Sequence, residues 1–438
     1  MCRLNFIYYI QTMTEFCNKI CLNQINFIVL ILLYSILLFN LIIHDGSDTS
    51  LLKFFLILSI PYLFFSKKTK IHPIYLITII PSFIFISLNE ILTQDSLYLI
   101  YSFLGSIEPL KHKLIEKYQT QFIYLLFLLS IPVLIKNLKF DTKIFLNILI
   151  FPLVTSIGLN LYLNFKFEFS RHLLYQELNP IILYDYSNIA LSLIILTYSF
   201  YSQKKISYIL ILLSLFNIAL IILHGTRGAW LGLPIAFILL YIYFYKDNFY
   251  KFLYIAITFL ILFISILLIP NSSIYERLLA FLSDIHHAQS NRLDTSTGVR
   301  LELWKLALNR FTDSPINGVG FNNFFNDICD AYKRGEIAEC QLHAHNTFLE
   351  ALVAHGILGF FAIICLFFAP LFFFINEKRK YSSNKTINFL TSLGIIFISY
   401  LIACSLTDYY FWMPLHTIFY VIIVFTIISL ILKERKIL

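Results

Sequence analysis

The chain has 438 residues, 59% of them hydrophobic and 13% charged, with a mean hydropathy of +0.77. A soluble domain carries about 25% charged residues, so a water-soluble globular fold is excluded. The net charge of +8 does not point to nucleic acid, because the Lys and Arg residues stand in short clusters between apolar runs.

The first 22 residues contain Arg3 and Lys19 but lack the charged, apolar, small-residue pattern of a cleaved signal. They read as a short interfacial segment. Apolar runs able to cross about 30 Å of hydrocarbon then follow at 24–43, 51–66, 72–92, 121–135, 144–164, 181–201, 206–223, 230–245, 252–270, 346–375, 387–406 and 415–432. The expected fold is therefore an all-α polytopic membrane protein of about twelve transmembrane helices. Residues 1–270 carry helices one to nine, 271–345 form one large extracytoplasmic loop, and 346–438 carry the last three.

Orientation follows the positive charges. With both termini in the cytoplasm, the clusters at Lys67–Lys70, Lys136–Lys143, Lys204–Lys205, Lys246–Lys251, Lys378–Lys385 and Lys433–Lys436 all fall inside. The short outer connections, such as His44 to Asp48 and Thr407 to Tyr409, are mixed or acidic. Residues 94–120 could lie along the interface as an amphipathic helix. The seven cysteines include no CxxC pair; Cys365 and Cys404 lie in apolar runs as small core residues. Cys329 and Cys340 share the polar loop, and an oxidising compartment would allow them to close a short disulfide ring.

Three constellations could carry chemistry. Arg227 lies in LHGTRGAWLG between the seventh and eighth spans, where Gly225 and Gly228 permit a tight turn. A snorkelling hairpin anchor would look the same, but an arginine held at membrane depth reads as functional by default. Arg300 lies in STGVRLELWKLALNRF, where Leu301, Trp304 and Leu308 recur at helical spacing. That puts it in the first turn of an amphipathic loop helix, where on its own it is an ordinary solvated charge.

His345 and Asn346 open the tenth span, with His343 two residues back. A bilayer gives no reason to place imidazoles there, and a histidine can take and return protons near neutrality. The bland alternative is a polar cap with Asn346 at the helix start. Asp408, at the outer end of the eleventh span, could orient the imidazole or be a plain surface carboxylate. His343-Ala344-His345 resembles a metal-ligand pair, and His286-His287 is another. A zinc site needs three or four ligands, and the chain has no HExxH, Cys/His cluster or Asp-x-Asp. No metal and no cofactor are expected. Histidine and arginines at one membrane face suggest transfer on a phosphorylated, lipid-borne substrate.

These features resemble the O-antigen ligase family, whose relatives include the O-antigen polymerases. The local likeness is His345-Asn346, nine residues from Thr347 to His355, then Gly356-Ile357-Leu358-Gly359. Arg300, Trp304, Pro315 and Gly318-Val319-Gly320 resemble the loop of the wider family. The resemblance implies a GT-C-like glycosyltransferase of the bacterial inner membrane. It would move a glycan from undecaprenyl diphosphate to a lipid A–core sugar hydroxyl on the periplasmic side. His345, Arg300 and Arg227 would be catalytic, with His343, Asn346, Asp408 and Trp304 binding or orienting substrate. A polymerase taking a second lipid-linked glycan as acceptor is the runner-up. A transporter or flippase is the alternative of another class, with Glu90 and Asp185 as its best residues.

Overall fold

The computed structural model describes residues 71–88, 129–137, 140–177, 181–202, 204–269, 296–412 and 414–438. The expected spans at 24–43 and 51–66, the interfacial segment at 94–120, Glu90 and His286-His287 lie outside the described residues. The described helices are α1 (Pro73–Ser82, continued by a π turn over Phe83–Leu88), α2 (Ser130–Asn137), α3 (Thr142–Lys166), α4 (Arg171–Glu177), α5 (Ile181–Tyr198), α6 (Lys204–Ile222), α7 (Arg227–Phe244), α8 (Phe249–Leu267), α9 (Ser296–Phe311), α10 (Phe321–Lys333), α11 (Thr347–Lys380), α12 (Lys385–Ser405) and α13 (Pro414–Glu434). Eight of them, α3, α5 to α8 and α11 to α13, are long and apolar enough to cross a membrane. The protein is an integral membrane protein built of helices.

Burial sorts these helices by position. The apolar windows of α5 and α13 are 94% buried inside the protein, whereas that of α8 is 17% buried. α5, α12 and α13 therefore form the centre, and α8 presents Leu253, Ile257, Leu260 and Ile264 outward. In lipid the hydrophobic effect does not pull helices together, so small and polar residues must do it. Here Ser156 and Asn160 of α3, Tyr184, Asn188 and Ser192 of α5 and Asn217 of α6 form one buried hydrogen-bonded cluster. Local caps fix the helix starts: the Asp141 side chain accepts from Ile144 N, and Asn384 accepts from Ile387 N.

The tenth expected span ends later than the apolar run at 375. α11 continues to Lys380 because Glu377 is paired with Arg435 at 2.8 Å, so the first charged turn is still packed in protein. α11 is also broken. Gly356 has φ 66° and ψ −162°, which interrupts the helical ladder. The freed groups are taken by the preceding loop: Val319 N donates to Val353 O, Gly320 N to Ala354 O, and Ile357 N to Pro315 O. A Cβ on Gly356 would stand 2.2 Å from Ile316 O, and one on Gly318 would stand 2.3 Å from Ala354 C. The two glycines thus let a loop backbone dock directly into a helix break. This interlock ties the segment carrying α9 and α10 to the membrane bundle.

Within that segment, Arg310 of α9 makes a bidentate pair with Asp327 of α10. Cys329 and Cys340 are joined by a disulfide across 11 residues. The described part of α9 begins at Ser296, so Arg300 falls in its second turn rather than its first.

Candidate active site

The His-Ala-His segment is held at its middle residue. Ala344 N donates to the buried Glu350 carboxylate at 2.7 Å, and Ala344 O accepts from Trp304 Nε1 at 3.0 Å. Trp304 therefore acts on the backbone between the two histidines rather than presenting its ring nitrogen to a ligand. Asn346 caps α11: its Oδ1 accepts from Phe348 N and Leu349 N, and its Nδ2 donates to Leu406 O. Its Oδ1 serves the helix start, which is the cap alternative the sequence left open, and its Nδ2 ties that start to the end of α12.

His345 has φ 50°. A non-glycine residue in this left-handed region costs about 1–2 kcal/mol. The cost aims its ring at the loop after α12, where Asp408 Oδ1 lies 3.3 Å from His345 Nδ1. On the other side of the ring, Gln341 Oε1 lies 3.2 Å from Nε2. Asp408 itself is buried and accepts from Tyr409 N. Burial by itself would raise its carboxyl, but His345, His343 and Arg300 together outweigh it and hold the group below the usual carboxylate range. Asp408 is therefore a charged partner for the imidazole at neutral pH.

His343 is buried, and its Nδ1 accepts from His345 N at 3.2 Å. Burial pushes its imidazole down to about 3, with the neighbouring charges of His345 and Arg300 adding to the effect and Asp408 opposing it. It stays neutral, with Nε2 at 3.8 Å from Asp408, too far for a hydrogen bond. Its geometry makes it a brace for His345. The three side chains place donor atoms within 4.8 Å of one another, which could hold a metal ion. The third donor comes from Asp408, distant in sequence. The nearby Arg300 guanidinium acts electrostatically on both His343 and Asp408 and disfavours a cation there.

Both sequence-singled arginines line one cavity of about 150 Å³, together with Arg171, Tyr186 and the turn Gly225 to Gly228. Arg227 is the first residue of α7, following Thr226. That turn is fixed from below: Asp185 of α5 lies 2.7 Å from His224 Nδ1 and accepts from Thr226 Oγ1 at 2.5 Å, all buried. Arg300 Nε donates to Thr407 O at 3.2 Å, next to Asp408. Thr407 Oγ1 is 3.4 Å from Tyr186 OH, which lines the cavity. One short segment, Thr407-Asp408, therefore joins the arginine cavity to the histidine.

Sequence reasoning missed Arg171, Glu350 and the Asp185-His224-Thr226 support. His224 and Thr226 stand inside the LHGTRGAWLG motif, and that adjacency was the available signal. Glu350, an acidic residue one turn into an apolar helix, was another.

The fold and site define an integral membrane protein with a histidine–carboxylate pair beside an arginine-lined cavity at one end of its helical bundle. Residues 208–364, about a third of the chain, match the family model described as O-antigen ligase. It is 30% identical over 226 residues to an uncharacterized protein of Haemophilus influenzae, covering 48% of this chain and 55% of that one. It is 25% identical over 218 residues to an O-antigen ligase of Escherichia coli K12, covering 48% of this chain and 49% of the relative. The chain thus spans about half the length of the curated relatives it matches.

Proposed function

We propose that this protein is an O-antigen ligase of lipopolysaccharide biosynthesis, a glycosyltransferase that moves a glycan from undecaprenyl diphosphate to a sugar hydroxyl of lipid A–core. The observation that carries this reading is the His345–Asp408 pair at 3.3 Å beside a cavity shared by Arg227 and Arg300. The acceptor hydroxyl displaces Gln341 from His345 Nε2 and gives its proton to that nitrogen. Its oxygen attacks the anomeric carbon as the carbon–oxygen bond to the diphosphate breaks. The bonding pair leaves with the polyprenyl diphosphate, and in-line attack inverts the anomeric centre. Asp408 balances the imidazolium that results.

A diphosphate is already a good leaving group, so the site needs charge stabilisation more than a strong acid. Guanidiniums supply this in a fixed, bidentate geometry and make the transfer metal-independent. The positive clusters support a bacterial inner-membrane orientation with both termini in the cytoplasm and the site facing the periplasm. A transport role is less well supported: Asp185 is engaged by His224 and Thr226 beneath the arginine turn, where it serves that turn.

The test is the lipopolysaccharide of cells lacking this chain. Loss of long glycans with accumulation of undecaprenyl-linked polymer is the expected result. Lipopolysaccharide capped by a single repeat unit would instead identify a polymerase that uses a second lipid-linked glycan as acceptor.

A further inference from the structure

Arg171 opens the short helix α4, between α3 and α5, where the sequence gives it no motif. The fold carries it to the arginine turn. Its Nη1 donates to His224 O at 3.0 Å and to Thr226 Oγ1 at 3.2 Å. It also lines the cavity that Arg227 and Arg300 share. Three guanidiniums therefore surround one small polar space, with the Asp185 carboxylate beneath it bonded to Thr226 and close to His224.

This count of charges bears on which state of the lipid diphosphate the site prefers. The intact donor is a diphosphate diester with one negative charge on each phosphorus. Once the sugar–oxygen bond has broken, the freed terminal phosphate has a second ionisation near pH 6 and carries about one further charge at pH 7. A two-arginine clamp would match the donor. A third guanidinium adds attraction that grows as the leaving group acquires charge, which is where stabilisation accelerates transfer.

We propose, resting on the lipid-diphosphate reading of the site, that Arg171 completes a three-arginine site that recognises the terminal diphosphate of a departing polyprenyl carrier. Free polyprenyl diphosphate is then a ligand of this cavity, and polyprenyl monophosphate a much weaker one. The competing role for Arg171 is purely to pin the turn before Arg227 through its bonds to His224 and Thr226.

The test measures binding of farnesyl diphosphate and farnesyl monophosphate to the purified full chain in detergent, for the wild type, Arg171→Gln, Arg171→Lys and Arg227→Lys. We expect wild-type protein to prefer the diphosphate. Arg171→Gln should weaken the diphosphate by about tenfold or more while changing the monophosphate much less, since one charge-assisted contact is lost. Arg171→Lys keeps the charge without the fork, so it should lose part of the preference; it also serves if the glutamine variant does not fold. Equal weakening of both ligands by Arg171→Gln would overturn the proposal and leave a turn anchor. A wild type that does not discriminate diphosphate from monophosphate, and is indifferent to Arg227→Lys, would instead overturn the reading of the whole cavity.

Discussion

Asp408 Oδ1 lies 3.3 Å from His345 Nδ1, across 63 residues of chain. The contact joins the loop after α12 to the entrance of α11 and fixes which nitrogen of the imidazole faces the open site. With Nδ1 turned to the carboxylate, Nε2 is the nitrogen left to meet an acceptor hydroxyl.

Replacing Asp408 by asparagine keeps the size and an acceptor for Tyr409 N but removes the charge. Turnover should fall by roughly 10²-fold, the lower range of what a positioned general base supplies. Donor binding should stay within about twofold of wild type by the same reasoning, because the carboxylate faces the base rather than the arginine cavity. Steady-state transfer kinetics beside donor-binding measurements check this. A large loss of binding with unchanged turnover would place Asp408 in the donor site instead.

Arg227→Lys and Arg300→Lys should both be severely impaired, by about 3 kcal/mol or more if the clamp acts in the transition state. Activity should survive EDTA, since the guanidiniums supply the positive charge. Single-turnover rates with the lipid diphosphate donor, with and without chelator, provide the readout. Strict dependence on an added divalent ion would mean that His343, His345 and Asp408 work as ligands.

Gly356→Ala should loosen the interlock between the loop and α11. Its Cβ would meet Ile316 O at 2.2 Å, and the left-handed φ of 66° is itself unfavourable for alanine. The variant should show a lower melting temperature and faster proteolysis across residues 296–346. Unchanged proteolysis would mean the loop is held elsewhere.

How much of this was legible in the sequence depends on range. His345 and Arg227 could be singled out because each is a polar residue where the apolar pattern predicts none, whereas Arg300, in the polar loop, stood out only through the family resemblance. The contact of His345 with Asp408 could only be guessed, since nothing local reports a pairing across 63 residues. Gly356 was readable as part of a Gly-x-x-Gly stretch, but its left-handed conformation depends on the loop that docks there. Arg171 was invisible because a lone arginine between two spans looks like any interfacial charge. Asn346 shows the reverse: its ordinary capping role was visible in the sequence, and its Oδ1 does cap α11.

The Cys329–Cys340 bridge closes a short ring in the segment bearing α10. Its contribution should be about 3 kcal/mol at most, confined to that segment. Replacing both by serine should raise protease sensitivity near residues 329–340 and leave transfer largely intact. Two free thiols in unreduced native protein, seen by mass spectrometry, would contradict the bridge.

The central claim is that His345 takes the acceptor proton. The most direct measurement is transfer by purified His345→Ala protein, with defined undecaprenyl diphosphate glycan and lipid A–core, alongside its donor affinity and melting profile. The account predicts no detectable product from a protein that still folds and still binds donor. Turnover near the wild-type rate would contradict it, because proton removal from the acceptor would then not need this imidazole.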